Sequence, residues 1–422
     1  MISGFAAFAA LRHRDYRRFM AGQSFSLVGS WVQNTAQGWL VTLLSPSEEI
    51  ATAWLGAASL IGSLPMFFGA FLGGAVADRV SKRTIIVWMQ VVQSLLALGM
   101  AALALSHSVR LWHVPVFAFA LGITNVFDIP ARQSFVVELV GKQDLPAAIG
   151  LNSSLFNAAR VFGPWIAAAL IQRLGAGPGE LDGVGRCFLV NGLSYLPVIA
   201  GLCLIQPARA AAGASREPLR TQLRETLDFL RGHAGLRSLF ALLAAESLFM
   251  TGDWILLPAL AKYVLRTDAA GFGQLMALRG VGALCAALWL AARGRSEGKG
   301  RVVAFAAVLW PLLSVATAVI GRFEIARVLV PLAGCAMICF LVGCNQLVQT
   351  STPDHLRGRV MGVHAWLMMG LNPPGSLLAG AVAGTSGTAA AVAAGGLVSL
   401  AVALWFLARH PVLRRSGAQL DP

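Results

Sequence analysis

Charge is what this 422-residue sequence has least of: only 12% of its residues are Asp, Glu, Lys or Arg. A soluble domain carries about 25%. Hydrophobic residues instead make up 57%. That balance excludes a water-soluble globule and implies a polytopic membrane protein, whose apolar surface faces lipid and neighbouring helices. Acidic residues are scarcer than basic ones, 19 against 33, which leaves a net charge of +14. In a soluble chain such an excess would suggest nucleic acid. In an apolar chain the cations act as topological signals that hold loops in the cytoplasm, so no nucleic-acid partner is expected.

Enzyme signatures are also missing. No Gly-x-x-x-x-Gly-Lys-Ser/Thr loop is present to cradle a nucleotide phosphate. Gly271 and Gly273 open an apolar run but lack the rest of a dinucleotide fingerprint. The histidines are scattered, with no close metal-binding pair. The six cysteines (Cys187, Cys203, Cys285, Cys335, Cys339 and Cys344) have no metal-ligand spacing with histidine, and five lie inside apolar runs. Cys335 and Cys339 share a helix face as small packing residues. No catalytic residue, metal, disulfide framework or cofactor is therefore expected. Residues 1–20 have no uninterrupted apolar core ahead of their charges, so no cleavable signal peptide is read.

What the chain does have is a succession of apolar runs long enough to cross about 30 Å of hydrocarbon. They predict twelve helices at 18–44, 51–77, 84–105, 111–138, 145–172, 186–205, 236–264, 269–292, 301–321, 326–351, 358–384 and 387–408. With both termini inside, the cytoplasmic segments hold about 23 Lys and Arg residues and the outer loops about 7. A shift of the helix count by one would destroy that asymmetry. Phe5, Phe8 and Leu11 precede Arg12, Arg14, Arg17 and Arg18, an amphipathic lead-in for the cytoplasmic surface. Leu219, Leu223, Leu227 and Leu230 form one stripe of a surface helix. The domain reading is a lead-in at 1–17, a six-helix bundle at 18–205, a linker at 206–235, a second bundle at 236–408 and a cytoplasmic tail at 409–422.

The halves resemble each other. Gln23, Gly29 and Trp31 in helix 1 match Glu246, Gly252 and Trp254 in helix 7. Asp144 before helix 5 aligns with Asp354 before helix 11, and Gly163-Pro164 then falls opposite Pro373-Pro374. Six spans are repeated once, at an offset of a little over 200 residues. Between the second and third runs stands Gly74-x-x-x-Asp78-Arg79-x-x-Lys82-Arg83. This pattern resembles the loop 2–3 signature of the major facilitator superfamily, with Ser81 where that signature usually has Gly. Asp78 sits at the membrane edge, where a paired charge can act as a latch. Phe8 to Phe19, Asn152 to Pro164 and Thr352 to Gly362 also resemble the bacterial branch of that superfamily containing enterobactin-exporter-like and related efflux carriers. Gly163-Pro164 is similar to the helix 5 motif of drug–proton antiporters, though Ala159 and Ala167 stand at its other glycine positions. The resemblance implies an all-α fold of two pseudo-symmetric six-helix bundles with a midplane site between them.

Several residues are candidates for mechanism. Glu246 and Asp253 are two turns apart on helix 7 at membrane depth. A carboxylate there costs several kcal/mol when ionised, and a titratable group is what proton coupling needs. The resemblance directs helix 7 at a central cavity; the alternative is a structural pair with Arg279 or another helix. Asp128 and Arg132 form an i,i+4 pair on helix 4. Asp128 either stays in that local pair or, by resemblance, bridges to Arg79 or Arg83. Arg160 and Arg279 are embedded cations, for structural pairing or for an anionic substrate. Gln23, Ser30, Asn34 and Gln37 share a stripe of helix 1, and Asn345, Gln346 and Gln349 run along helix 10. These polar groups either bind a polar ligand or join helices. Trp31 and Trp254 are candidates for stacking on an aromatic substrate.

The reading is a secondary transporter of the bacterial inner membrane, a monomer with no cofactor, exporting a small molecule by alternating access at the expense of the proton gradient. By resemblance the cargo is a siderophore or an amphipathic drug-like molecule. The alternatives are an importer or lysophospholipid flippase on the same fold, and a non-transporting receptor or assembly factor.

Overall fold

Each apolar run closes its backbone hydrogen bonds within itself, as a segment in hydrocarbon must, and the result is a chain of helices. The computed structural model describes residues 8–174, 179–205, 219–293 and 299–409. Among them no strand occurs. A 3₁₀ turn (Ala9–Arg12) leads into α1 (Arg14–Leu44), α2 (Glu48–Arg79) and α3 (Lys82–Leu105). Then come α4 (His113–Gly141), α5 (Gln143–Gln172) and α6 (Glu180–Cys203). Between α4 and α5 the chain turns at Gly141, whose φ of 70° suits a residue without Cβ. After α7 (Leu219–Gly232) the second set begins with α8 (Ala234–Phe249), α9 (Thr251–Ile255) and α10 (Leu257–Ala259). It continues with α11 (Ala269–Arg293), α12 (Lys299–Ile320), α13 (Phe323–Ser351), α14 (Asp354–Gly370), α15 (Asn372–Ser386) and α16 (Thr388–Arg409).

All twelve expected spans are present as helices. Ten are long and apolar enough to cross a membrane by length and composition. The other two depart for visible reasons. The first, α1, carries Gln23, Gln33, Asn34 and Gln37 along its length. The eleventh is broken at Leu371 into α14 and α15, of 17 and 15 residues. The seventh is broken as well. It stops at Met250, restarts as α9 and α10, and ends in a π turn (Leu260–Val264) closed by the Leu265 N–H donating to the Leu260 carbonyl at 2.8 Å.

The chain forms two compact units that do not follow the order of the spans. Unit 1 contains Met1–Ser45, Ile61–Ala214 and Ala269–Ala277. Here α1 lies against α6 so closely that a Cβ on Gly22 would come within 2.7 Å of the Pro197 carbonyl. The Ser94 hydroxyl donates to the Gly192 carbonyl at 2.7 Å and fixes α3 on α6. Phe19 meets Phe135 edge to face at 5.6 Å, over Ile86, Val198 and Leu202. At the N-terminal end Asp144 is held by Arg12 at 3.3 Å and His13 at 2.9 Å, and the buried Tyr16 hydroxyl donates to the Ala148 carbonyl at 3.0 Å. The start of α11 belongs here too: Phe272 stacks on Trp39 at 5.7 Å, and Gly273 abuts Ala168.

Unit 2 contains Pro46–Leu60, Ser215–Asp268 and Leu278–Pro422. The first part of α2 is bound into it. A Cβ on Gly56 would meet the Ser376 carbonyl at 2.9 Å, the Ser59 and Ser376 hydroxyls are 2.7 Å apart, and the Thr388 N–H donates to Glu48 at 2.6 Å. Gly282 and Gly334 bring α11 and α13 into backbone contact, at Pro331 and Arg279 respectively. The linker helix α7 also packs here. Leu230 is buried with Leu236 and Leu239, and Glu225 pairs with Arg359. Of the predicted stripe, Leu227 is 49% exposed. The side chains of Leu219 and Leu223 lie outside the described residues.

Candidate functional site

Two buried polar clusters stand out, one in each unit. The cluster in unit 2 is built where span 7 breaks. Glu246 lies one turn before the break, and its carbonyl accepts the Met250 N–H at 2.9 Å. The side chain is 1% exposed, and neither carboxylate oxygen has a hydrogen-bond partner. Ser399 on α16 faces it without completing a hydrogen bond, and Cys344 and Asp253 are its other polar neighbours. Around the break, glycines press directly on the backbone. Gly375 abuts the Leu248 carbonyl, and Gly395 would meet the Phe249 carbonyl at 2.5 Å were a Cβ added. Thr251, the first residue of α9, donates to the Asn372 side chain at 3.1 Å, the first residue of α15. The breaks in spans 7 and 11 therefore meet.

Asp253 lies beyond the break and has a different environment. Arg279 donates to its carboxylate at 2.5 Å and to its carbonyl at 3.1 Å, while the Trp310 indole donates to the same carboxylate at 3.0 Å. Arg279 is 2% exposed, lies over Trp254 at 5.4 Å and reaches Met337 Sδ at 3.6 Å. So the two carboxylates that the sequence places on one stripe separate chemically. Asp253 takes the structural pair with Arg279 that stood as the alternative reading, while Glu246 is uncompensated. Trp254, a candidate for substrate stacking, stacks on Arg279.

In unit 1 the cluster joins α1, α3 and α4. Arg132 donates to Asp128 through Nε at 3.1 Å and Nη2 at 2.6 Å, and through Nη1 to Gln23. Gln90 approaches the other Asp128 oxygen at 3.4 Å, and Gln93 donates to Thr124 at 3.0 Å. Asp128 is thus in its local pair. The bridge to Arg83 is not formed, because the Arg83 guanidinium is taken by the Leu202 and Cys203 carbonyls at the end of α6, at 2.7 and 3.1 Å. Lys82 reaches Glu138 at 2.7 Å. The side chains of Asp78 and Arg79, which with Gly74 make up the rest of the loop 2–3 pattern, lie outside the described residues.

The remaining candidates divide. In unit 1, Arg160 lies over Trp31 at 5.5 Å, and Trp31 meets Phe156 edge to face at 5.7 Å. Ser30 returns its hydroxyl to the Ser26 carbonyl at 2.8 Å. Asn34 is exposed and Gln37 half-buried. In unit 2, Gln349 is exposed and donates to Asn345 at 2.7 Å, with Gln346 half-buried on the same helix. Sequence reasoning missed Gln90, Gln93, Trp310 and Ser399. The two glutamines had a signal: amides three apart in an otherwise apolar run. Gln33 was missed too; it accepts from Asn191 at 2.6 Å and ties α1 to α6.

Comparison with known proteins sets this architecture in a family. The model of a family described as transmembrane secretion effectors matches residues 5–419. The multidrug efflux pump Tap of Mycolicibacterium fortuitum is 28% identical over 373 residues, covering 85% of this chain and 87% of that one. Tap of Mycobacterium tuberculosis (strain H37Rv) is 26% identical over 376 residues, covering 85% and 84%. Among solved structures, a bacterial homologue of the lysosomal transporter Spinster in an inward-facing, occupied conformation superposes with a TM-score of 0.70 at 13% identity, covering 97% and 99%. A bacterial homologue of the iron transporter ferroportin, also inward-facing, gives 0.68 at 16%, covering 93% and 98%. These likenesses show the fold: twelve transmembrane helices in two pseudo-symmetric sets of six. The chain belongs to the transmembrane secretion effector family of major facilitator transporters.

Proposed function

We propose that this transporter exports amphipathic drug-like molecules across the bacterial inner membrane, driven by protons that load and leave Glu246. The observation that carries the reading is the state of that carboxyl: 1% exposed, with both oxygens unpaired. An ionised carboxylate without a partner costs several kcal/mol at membrane depth. A protonated one costs far less, so proton binding and the conformation around Glu246 are coupled. Asp253, the second candidate for coupling, has its charge met by Arg279 and Trp310. Movement of one charge through 100 mV is worth about 2.3 kcal/mol, enough for a concentration ratio of about fifty.

The choice of cargo is supported by the relatives named multidrug efflux pump Tap, which align with 85% of this chain. A macrolide efflux protein of Streptococcus pyogenes is also similar, 26% identical over 151 residues, 36% of each chain. These names favour an amphipathic drug over a siderophore. Both termini in the cytoplasm fit the distribution of basic residues.

The test is macrolide accumulation in inverted membrane vesicles energised by a proton gradient. Wild type concentrates the drug. Glu246→Gln retains drug binding and loses gradient-driven accumulation. Undiminished accumulation by Glu246→Gln removes this residue as the coupling site.

A further inference from the structure

One large hollow in unit 2 plays no part in the sites above. Helices α11, α12 and α13 enclose a cavity of about 660 Å³, within the range of about 300–1,000 Å³ typical of small-molecule pockets. It exists because each helix presents a small residue to it: Ala286, Ala306 and Ala336 are 1%, 2% and 3% exposed and form its floor. Its walls are apolar, and Trp289, Phe305 and Leu332 stand at its open side, 43%, 68% and 49% exposed. The only ionisable groups among its lining residues are three thiols and one cation, Arg301.

The position of that cation identifies the occupant. Arg301 lies in the first turn of α12 and ends a short basic stretch of sequence that also holds Arg293, Arg295 and Lys299, with a single carboxylate, Glu297. The distribution of basic residues puts this end of the helix at the cytoplasmic surface. An apolar slot open towards lipid, with a cation at its headgroup end, has the polarity of a phospholipid. Basic pockets between transmembrane helices on the cytoplasmic side bind anionic headgroups. No carboxylate lines the cavity to hold a cationic drug.

We propose that an anionic phospholipid occupies this slot, an acyl chain lying along Trp289 and Phe305 and its phosphate on Arg301. The test uses the purified full chain. Phosphatidylglycerol or phosphatidylcholine with the same acyl chains is added, retained lipid is counted by native mass spectrometry, and the rate of N-ethylmaleimide reaction at Cys335 is followed. One phosphatidylglycerol is retained, with about fivefold preference over phosphatidylcholine, as one basic residue near a headgroup gives. Arg301→Gln removes the preference, Ala336→Phe removes retention of both lipids, and phosphatidylglycerol slows the Cys335 reaction. Equal retention of the two lipids by wild type overturns the proposal without reliance on any variant. So does protection of Cys335 by erythromycin but not by phosphatidylglycerol, which would make the slot a cargo site.

Discussion

Arg279 grips Asp253 twice, through the carboxylate at 2.5 Å and through the backbone carbonyl at 3.1 Å, from a position 2% exposed. Removal of either charge alone leaves the other buried without compensation, which costs about 3–5 kcal/mol. Asp253→Asn and Arg279→Gln should therefore each lower the melting temperature of the purified protein sharply. The double variant should be more stable than the Arg279→Gln single variant, because no bare charge remains. Additive losses in the double variant would show that the pair is not what holds these side chains.

Glu246 should behave in the opposite sense. Its oxygens are unpaired and the residue is 1% exposed. Replacement of an unsatisfied polar group by an apolar one of similar size gains about 1–3 kcal/mol. Glu246→Leu is expected to unfold at a higher temperature than wild type and to lose gradient-driven efflux, a trade of activity for stability. A destabilised Glu246→Leu would mean that the carboxyl has a partner in the membrane.

The glycines of the spans divide by what faces them. Gly22 has the Pro197 carbonyl in the way of any Cβ, whereas Gly99 on α3 has nothing within 4 Å. Gly22→Ala should cost about 1–3 kcal/mol through forced separation of α1 and α6. Gly99→Ala should gain about 0.5–1 kcal/mol from helix propensity. Thermal unfolding of the two variants side by side checks both signs.

The network around Asp128 predicts coupling. Gln23 reaches Asp128 only through Arg132, and both contact the same guanidinium. A double-mutant cycle of Gln23→Ala with Asp128→Asn should show an interaction energy of about 0.5–3 kcal/mol. The pair Gln23→Ala and Ser399→Ala, which share no partner, should be additive.

Much of the fold could be read from the chain because hydrocarbon leaves a segment few choices. Apolar run lengths located every span, most ends within four residues. The start of span 6 was missed by six, 180 against 186, because Glu180, Asp182 and Arg186 resemble a loop although α6 extends through them. The breaks at Met250 and Leu371 were not legible as such. The break at Leu371 stands just ahead of Pro373-Pro374, but the break at Met250 lies two turns ahead of Pro258, where Gly375 and Gly395 of neighbouring helices crowd the Leu248 and Phe249 carbonyls. At the site, the type and depth of Glu246, Asp253 and Arg279 could be read, but their pairing could not. Two carboxylates seven apart look equivalent on a helix, and only the position of Arg279 on α11 distinguishes them.

The Thr251–Asn372 hydrogen bond joins the two places where long rods of this transporter are interrupted. An interrupted rod bends at its gap, and two gaps tied together bend as one. Spans 7 and 11 thus meet at one tied interruption, one turn from Glu246, and under the proposed coupling a proton taken up by that carboxyl would arrive beside the place where both rods are weakest.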